Sequence, residues 1–126
     1  GQAVAEFLAS HPKIAYVNYC GLPGDKYHAV AEKYLPNGSC GVVSFGVKGG
    51  REAAAAFMGH LKIAAIETHV ADARTCCLHP ASSTHRQMND EQLIAAGVQP
   101  DLVRMSCGLE DKNDLIHDIA QALDQI

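Results

Sequence analysis

The sequence predicts an α+β fold, a small and largely antiparallel sheet with helices packed on one face. Segments with helical and with strand periodicity alternate along the chain, and two predicted strands follow each other with no helix between them. Parallel neighbours usually need a long crossover connection, so this strand pair excludes a purely parallel, doubly wound sheet. The chain has 126 residues, the length of one domain. We therefore expect residues 1–126 to form a single domain.

The first half of the chain predicts three helices and two strands. In order, these are a helix over Ala3–Ser10, a strand around Ile14–Val17, a helix that begins at Asp25 and ends before Pro36, a strand in CGVVSFGV and a helix in GGREAAAAFMGHLK. The strands are rich in β-branched residues and end at glycine or proline. The last helix is rich in alanine and has no β-branched residue, which favours a helix.

The second half predicts three strands and two helices. Two short strands, IAAIET and RTCCLH, are expected to be joined by a turn at Val70–Asp72, and Pro80 ends the second strand. A helix follows in which Asn89 is the N-cap and Gln92 completes a capping box. Gly97 suits the position just after that helix. A strand in DLVRMSCG and a terminal helix that starts with acidic residues complete the chain.

Composition excludes several classes of partner. The net charge is −4 and the basic residues are scattered, so we predict no nucleic acid and no anionic membrane as a partner. The apolar run around Ala53–Met58 is too short to span a bilayer. The cysteines are odd in number and have no regular spacing, which argues against a disulfide framework. Free cysteines and an opening segment without a leader predict a cytoplasmic protein.

Cys76, Cys77, His79 and His85 offer donor atoms that suit zinc. Adjacent residues of a strand point to opposite faces, however, and no Cys-x-x-Cys pair is present, so we predict no metal site and interpret the cysteines as small buried apolar residues. A Cys–His nucleophile with His79 or His85 as base has no identifiable third member. The glycine pair in FGVKGGREA matches no phosphate-binding fingerprint, so we interpret it as a strand-to-helix turn.

Arg104 lies in the middle of a strand whose other residues are mostly apolar, LVRMSCG. A charged side chain there either points to solvent or faces a cleft in which an anion neutralises it. The planar guanidinium matches a carboxylate with two parallel hydrogen bonds. The residues alone leave two interpretations open, an exposed edge position and a carboxylate anchor.

Three separated segments, in the correct order, resemble one family. HPASSTHRQMNDEQLIAAGVQPDLVRMSCGLED resembles the signature HPAS-x-TH … G-[VI]-x-P-x-L-[VI]-R-[LI]-S-x-G-[LI]-E of the Cys/Met-metabolism enzymes that depend on pyridoxal phosphate (PLP). VNYCGLPGDKYHAVAEKYLPNG and VVSFGVKGGREAAAAFMGHLKI are similar to two further segments of that family, with Cys20 where proline is usual. The resemblance covers nearly the whole chain. Within the family it is strongest to the O-acetylhomoserine sulfhydrylases.

The resemblance implies that residues 1–126 are the C-terminal domain of a fold-type I enzyme about three times as long, whose large catalytic domain is absent here. The family's Schiff-base lysine lies in a Ser-x-Thr-Lys motif, and no lysine of this chain has that motif around it. We therefore expect no catalytic residue in this chain, no activity of the fragment alone, and PLP bound only by the full-length enzyme. That enzyme is expected to be a homotetramer that uses O-acetylhomoserine and sulfide or a thiol.

Within the resemblance, Arg104 matches the arginine that binds the substrate α-carboxylate. Thr84 and His85 match the TH pair, which we interpret as support for its loop. Many relatives carry Ser-Leu-Gly or Asn-x-Gly where this chain has residues 69–71, His-Val-Ala, and the polar first residue helps to hold the carboxylate. We expect His69 to take over that contact, or else to hydrogen-bond within the turn. A cystathionine γ-synthase, a γ-lyase and a non-catalytic α+β binding module are the alternative functions.

Overall fold

Five strands form one mixed sheet in the order β1-β2-β5-β4-β3 in the computed structural model, which describes all residues from Gly1 to Ile126. In chain order the elements are α1 (Gln2–Ser10), β1 (Ile14–Asn18), α2 (His28–Tyr34), β2 (Val42–Val47), α3 (Gly50–His60), β3 (Ala65–Ile66), β4 (Cys76–Leu78), a 3-10 helix (Pro80–Ser82), α4 (Asp90–Ala95), β5 (Leu102–Ser106) and α5 (Lys112–Asp124). The predicted order of helices and strands is confirmed.

The sheet is largely antiparallel, as predicted. The β1/β2, β2/β5 and β4/β5 pairs are antiparallel, and only β3 and β4 run parallel. We expected a turn between β3 and β4, and this detail is wrong. The connection at residues 67–75 is a loop that returns along the sheet edge, held where Ala65 N–H donates to Thr75 O and Glu67 N–H donates to Cys77 O. These contacts depend on tertiary position, so no local turn signal could indicate them.

One face of the sheet is covered by helices and forms the core. The inward residues of β2 and β5 are fully buried, and so is Cys77 of β4. Helices α1, α3 and α5 pack over them. The main core side chains are Val4, Leu8, Val43, Phe45, Phe57, Val103, Met105, Ile119 and Leu123. Burying each of the larger ones stabilises the fold by about 1.5–3 kcal/mol. Helices on one face, as predicted, are therefore confirmed.

The opposite face carries a different set of residues, which we call the open face: Val42, Ser44, Leu78, Leu102 and Arg104. Ser44 and Leu78 are the direct neighbours of Arg104 on the two adjoining strands, so the three form one row. Side chains alternate along a strand, so this row points away from the helix-covered core. None of the five belongs to the core cluster.

The helix ends show where local signals are reliable. The Asn89 side chain accepts from Gln92 N–H and the Gln92 side chain accepts from Asn89 N–H, which confirms the capping box. Gly97 has a φ of 82°. The predicted start of α2 at Asp25 is wrong, because the Asp25 carboxylate accepts from Tyr27 N–H and so holds a turn before the helix. No helix has both the length and the apolar character that crossing a membrane requires.

A candidate anion-binding cavity on the open face

A cavity of about 490 Å³ lies on the open face of the sheet. Strands β2, β4 and β5 provide its floor, and its walls come from the end of β3 and from the loop after β4. The lining residues are Val42, Ser44, Thr68, Leu78, Pro80, Thr84, His85, Leu102 and Arg104. Most of the floor is apolar. Five of the nine lining residues are polar: Ser44, Thr68, Thr84, His85 and Arg104. Small-molecule sites commonly combine an apolar surface with polar groups that fix the orientation of the ligand.

Arg104 is the only lining residue with a permanent charge. Its Nη2 donates to Thr68 O at 2.8 Å, and no carboxylate of the chain pairs with it. A guanidinium has five N–H donors. Most donors of the half-buried cation, and its whole charge, thus have no partner within the chain. A carboxylate fits this fork with two parallel hydrogen bonds.

The position of Arg104 in the sheet decides between the two interpretations of its sequence context. β5 lies between β2 and β4, so Arg104 belongs to a central strand and the exposed edge position is wrong. Val103 and Met105, the residues on either side of it, are fully buried on the covered face. Alternation then directs Arg104 into the cavity. That it binds the substrate carboxylate stays a prediction.

Thr84 and His85 both line the cavity. The sequence analysis interprets this pair only as support for its own loop. Thr84 Oγ1 lies 2.8 Å from His85 Nδ1. The backbone of the loop is held because His85 N–H donates to Pro80 O at 2.9 Å. The structure therefore brings this pair into the same cavity as Arg104.

Arg51 fixes the loop that carries Thr84 and His85, and sequence reasoning missed it. Its Nη1 donates to Ala81 O at 2.6 Å, its Nη2 donates to Met88 O at 3.2 Å, and its Nε donates to the Asp90 carboxylate at 3.0 Å. One arginine thus ties both ends of the loop to α3. The only signal in the sequence is that Arg51 directly follows the glycine pair. That pair predicts a turn, and it does not indicate which residues Arg51 contacts.

His69 is not among the residues that line the cavity with Arg104. Its side chain is 65% exposed, and its Nδ1 lies 3.8 Å from an Asp72 carboxylate oxygen. The neighbouring Thr68 reaches the cavity instead, and its carbonyl accepts from Arg104. A contact between His69 and a carboxylate at Arg104 stays a prediction, and it would require the imidazole to leave Asp72.

The loop that contains His69 is strained at Ala71. Ala71 has a φ of 61°, where an alanine side chain approaches its own backbone too closely. Left-handed backbone costs an L-residue roughly 1–2 kcal/mol. The resemblance places glycine at this position, where the strain would be absent. Ala71 N–H donates to Ser106 Oγ at 2.9 Å, which keeps the loop against the end of β5.

Three of the residues weighed as a metal or nucleophile site, Cys76, Cys77 and His79, are buried, whereas His85 lines the cavity. His79 is 2% exposed, its Nε2 lies 2.8 Å from Pro100 O and its Nδ1 lies 2.8 Å from Ser82 Oγ. Both ring nitrogens are therefore occupied. Burial raises the pKa of the Cys76 and Cys77 thiols, so neither is an activated nucleophile. Cys77 packs into the core, whereas Cys76 is not part of it.

The structure thus has a mixed five-stranded sheet with helices on one face and, on the other, a cavity in which Arg104 has no carboxylate partner. The sequence profile described as "Cys/Met metabolism PLP-dependent enzyme" matches residues 1–124. The chain belongs to this family.

Similar proteins agree with that assignment. The chain is 45% identical to an O-acetyl-L-homoserine sulfhydrylase from Leptospira meyeri, over 98% of this chain and 28% of that protein. It is 40% identical to an L-methionine gamma-lyase from Fusobacterium nucleatum, over 98% of this chain and 31% of that protein. The chain thus spans about three tenths of the length of these relatives.

A solved structure has the same fold. It is a Campylobacter jejuni protein assigned as an O-acetylhomoserine (thiol)-lyase, crystallised with N′-pyridoxyl-lysine-5′-monophosphate. The TM-score is 0.86 at 38% identity, over 96% of this chain and 29% of that chain. The α+β fold class is therefore that of a PLP-dependent enzyme.

The cavity residues fit an amino-acid carboxylate better than they fit PLP itself. No lysine lines the cavity, and Arg104 is the one cation there. PLP needs an amine for its aldehyde and several donors for its phosphate, and these nine residues do not supply both. The family depends on PLP, so the groups that hold the cofactor must be sought outside this cavity.

Proposed function

We propose that this chain is the C-terminal, substrate-binding domain of a longer PLP-dependent enzyme of trans-sulfuration. The reaction converts O-acetylhomoserine and sulfide, or a thiol, to homocysteine, or methionine, and acetate. One observation carries the proposal: Arg104 stands without a carboxylate partner on the floor of the open-face cavity. The similarity to a sulfhydrylase over almost the whole chain supports the choice of reaction.

In this proposal Arg104 binds and orients the substrate and moves no proton. Two parallel hydrogen bonds fix the plane of the α-carboxylate, and the Thr68 carbonyl holds the guanidinium in position through Nη2. Holding an amino acid in one orientation removes much of the entropic cost of reaction. PLP acts as an electron sink in enzymes of this class, and the groups that hold it belong to the rest of the protein. The isolated chain is expected to be inactive and to bind no PLP.

A γ-lyase is the second candidate, because the methionine gamma-lyase noted above is nearly as similar as the sulfhydrylase. The two reactions share the carboxylate and differ in what happens to sulfur. Product analysis of the complete, PLP-loaded protein separates them. Homocysteine and acetate formed from O-acetylhomoserine and sulfide support the sulfhydrylase, whereas 2-oxobutanoate, methanethiol and ammonia formed from methionine support the lyase. A complete protein that is colourless and forms neither set supports a non-catalytic module.

The role of Arg104 is tested by Arg104→Lys in the complete protein. Lysine keeps the charge and loses the fork, so transition-state binding should weaken by about 2–5 kcal/mol, which corresponds to a drop in kcat/KM of roughly thirtyfold to several thousandfold. The visible absorbance of bound PLP should not change. Arg74→Lys, an exposed position outside the cavity, is the matched control. A near-normal kcat/KM for Arg104→Lys would contradict the carboxylate assignment.

His69 enters the proposal as a second contact to the same carboxylate. In the complete protein, His69→Ala should lower kcat/KM by an amount similar to Arg104→Lys if the imidazole has replaced the family's polar residue. The effect should be much smaller if His69 acts only in the turn with Asp72.

A further inference from the structure

Two alternate residues of β5 hold one short segment of the loop between β3 and β4. Arg104 Nη2 donates to the Thr68 carbonyl at 2.8 Å, and Ser106 Oγ accepts from Ala71 N–H at 2.9 Å. Side chains alternate along a strand, so Arg104 and Ser106 lie on the same side of β5, and neither belongs to the core cluster. The segment 68–71 is therefore held at each end by a side chain of the same strand.

Ser106 is a fixed point beneath this loop. It is 1% exposed, and its direct neighbours on β2 and β4 are Val42 and Cys76. Because β5 is paired on both sides, the oxygen that meets Ala71 N–H has a fixed position. Ala71 itself is exposed and has a left-handed backbone, which an alanine keeps only where surrounding contacts hold it. Ser106 thus anchors a loop that would otherwise relax.

The stretch between Glu67 and Ala71 depends on its two ends. The backbone N–H groups of residues 68–70 make no hydrogen bond within the chain. Before this stretch, Glu67 N–H donates to Cys77 O at 3.1 Å, and after it Ala71 N–H donates to Ser106. Removing the Ser106 hydroxyl therefore loosens one of the two ends, and the carbonyl that meets the guanidinium loosens with it.

We propose that Ser106 is a positioning residue for the carboxylate site at Arg104, a role that rests on the proposed function for what Arg104 binds. Ser106 fixes Ala71, the loop then fixes the Thr68 carbonyl, and that carbonyl sets the direction of Nη2. A guanidinium forms two parallel hydrogen bonds with a carboxylate only when its plane has the matching orientation. Ser106 acts through Arg104 and does not itself contact the carboxylate.

The test measures how much the α-carboxylate contributes to binding in the complete, PLP-loaded protein. The probes are L-norleucine and pentylamine, which is the same molecule without the carboxylate, and calorimetry gives both Kd values at one pH. The Kd of pentylamine divided by that of norleucine is the carboxylate preference. Ser106→Ala should lower this preference about fivefold, the effect of one hydrogen bond. Ser10→Ala, which removes a hydroxyl at the exposed end of α1, should leave it unchanged.

A double-mutant cycle separates positioning from a general loss of structure. Arg104→Met removes the guanidinium and should lower the carboxylate preference further than Ser106→Ala does. When Ser106→Ala is added to Arg104→Met, the preference should change by no more than about twofold, because Ser106 acts through the guanidinium. A general loss of structure would weaken both probes alike and leave their ratio at the wild-type value.

The outcomes distinguish this proposal from the proposed function. If Arg104→Met keeps the wild-type preference, the carboxylate assignment itself fails. If Arg104→Met lowers the preference and Ser106→Ala does not, only the positioning role is wrong. Equal losses from Ser106→Ala in both backgrounds also overturn that role, because Ser106 would then act without Arg104.

Circular dichroism and PLP absorbance show whether Ser106→Ala is folded. If it is not, Ser106→Cys replaces it, since a thiol has nearly the same shape and is a weaker acceptor. The carboxylate preference of Ser106→Cys should fall about twofold, and an unchanged preference would overturn the proposal.

Discussion

The covered face and the open face of the sheet are built from alternate residues of the same strands, yet neighbouring residues of one strand differ sharply in burial and charge. On β5, Val103 and Met105 are fully buried, while Arg104 between them is half-exposed and has no ion-pair partner. On β2, Phe45 belongs to the core and Ser44 lines the cavity. A spacing of one residue thus separates side chains that stabilise the fold from side chains available to a ligand.

The two faces also differ in how polar groups are satisfied. Asp118 is 4% exposed on α5, and its carboxylate accepts from the backbone N–H groups of Lys62, Ile63 and Ala64. Every donor that meets Asp118 belongs to the chain itself. Arg104 instead makes one hydrogen bond within the chain. Stability and binding should therefore respond to different mutations, and stability can be measured in the isolated 126-residue chain.

The largest effect on stability is expected on the covered face, for Phe57→Ala. Phe57 is fully buried, and its ring meets that of Phe45 edge to face with centroids 5.8 Å apart. The lost burial and the cavity left behind should lower the free energy of unfolding by about 3–5 kcal/mol, measured by urea denaturation. Leu102→Ala on the open face should cost about 1 kcal/mol or less, because Leu102 is only half-buried. Similar losses at both positions would mean that the open face is also part of the core.

Asp118→Asn should have the next largest effect. An amide cannot accept from three backbone N–H groups as a carboxylate does, and one group is left poorly paired. The free energy of unfolding at neutral pH should fall by about 2–3 kcal/mol. Asp124→Asn, at an exposed position of the same helix, is the control and should be nearly neutral. Equal losses in the two variants would show that the charge of α5 matters and the contacts of Asp118 do not.

The same contacts predict an acid sensitivity. Burial would raise the pKa of Asp118, but the hydrogen bonds from Lys62, Ile63 and Ala64 outweigh it and hold the pKa below its ordinary value. A depressed folded-state pKa gives stability that is complete above the unfolded-state pKa of about 3.9 and is lost as the pH falls through the folded-state pKa. The wild-type chain should therefore lose more stability than Asp118→Asn when the pH is lowered below about 4.

The sequence predicts features that depend on residues close together in the chain, and it does not predict the contacts between residues far apart in the chain. The capping box at Asn89 depends on residues three apart, and it was predicted correctly. Arg104 was singled out because a cation interrupts an apolar strand. The partners of Asp118 and Arg51 lie far away along the chain, and the parallel pairing of β3 with β4 depends on such contacts. Aspartate and arginine are usually surface residues, so nothing in the pattern indicated these long-range contacts.

A smaller effect, of opposite sign, is expected in the loop that borders the open face. Ala71 has a left-handed backbone, so Ala71→Gly removes strain but adds flexibility to the unfolded chain. The net gain in the free energy of unfolding should be about 0.5 kcal/mol. Ala73→Gly is the control in the same loop, where no positive φ is present and glycine should destabilise slightly. If both changes destabilise equally, the loop is not strained at Ala71.

The smallest change in stability is expected for Arg104→Met, although Arg104 is central to the proposed function. The variant loses one hydrogen bond, and the carbonyl of Thr68 that accepts it is exposed and can bond to water. It also removes an unpaired charge from an apolar floor, which offsets the loss. We therefore expect the free energy of unfolding to change by no more than about 0.5 kcal/mol.

Arg51→Met is the matched comparison: that guanidinium donates to Ala81 O, Met88 O and Asp90, so its loss should cost about 2–3 kcal/mol. Urea denaturation of the two variants measures the difference directly. An Arg104→Met variant as unstable as Arg51→Met would make Arg104 a structural residue, and the division of the sheet into a stabilising face and a binding face would not hold.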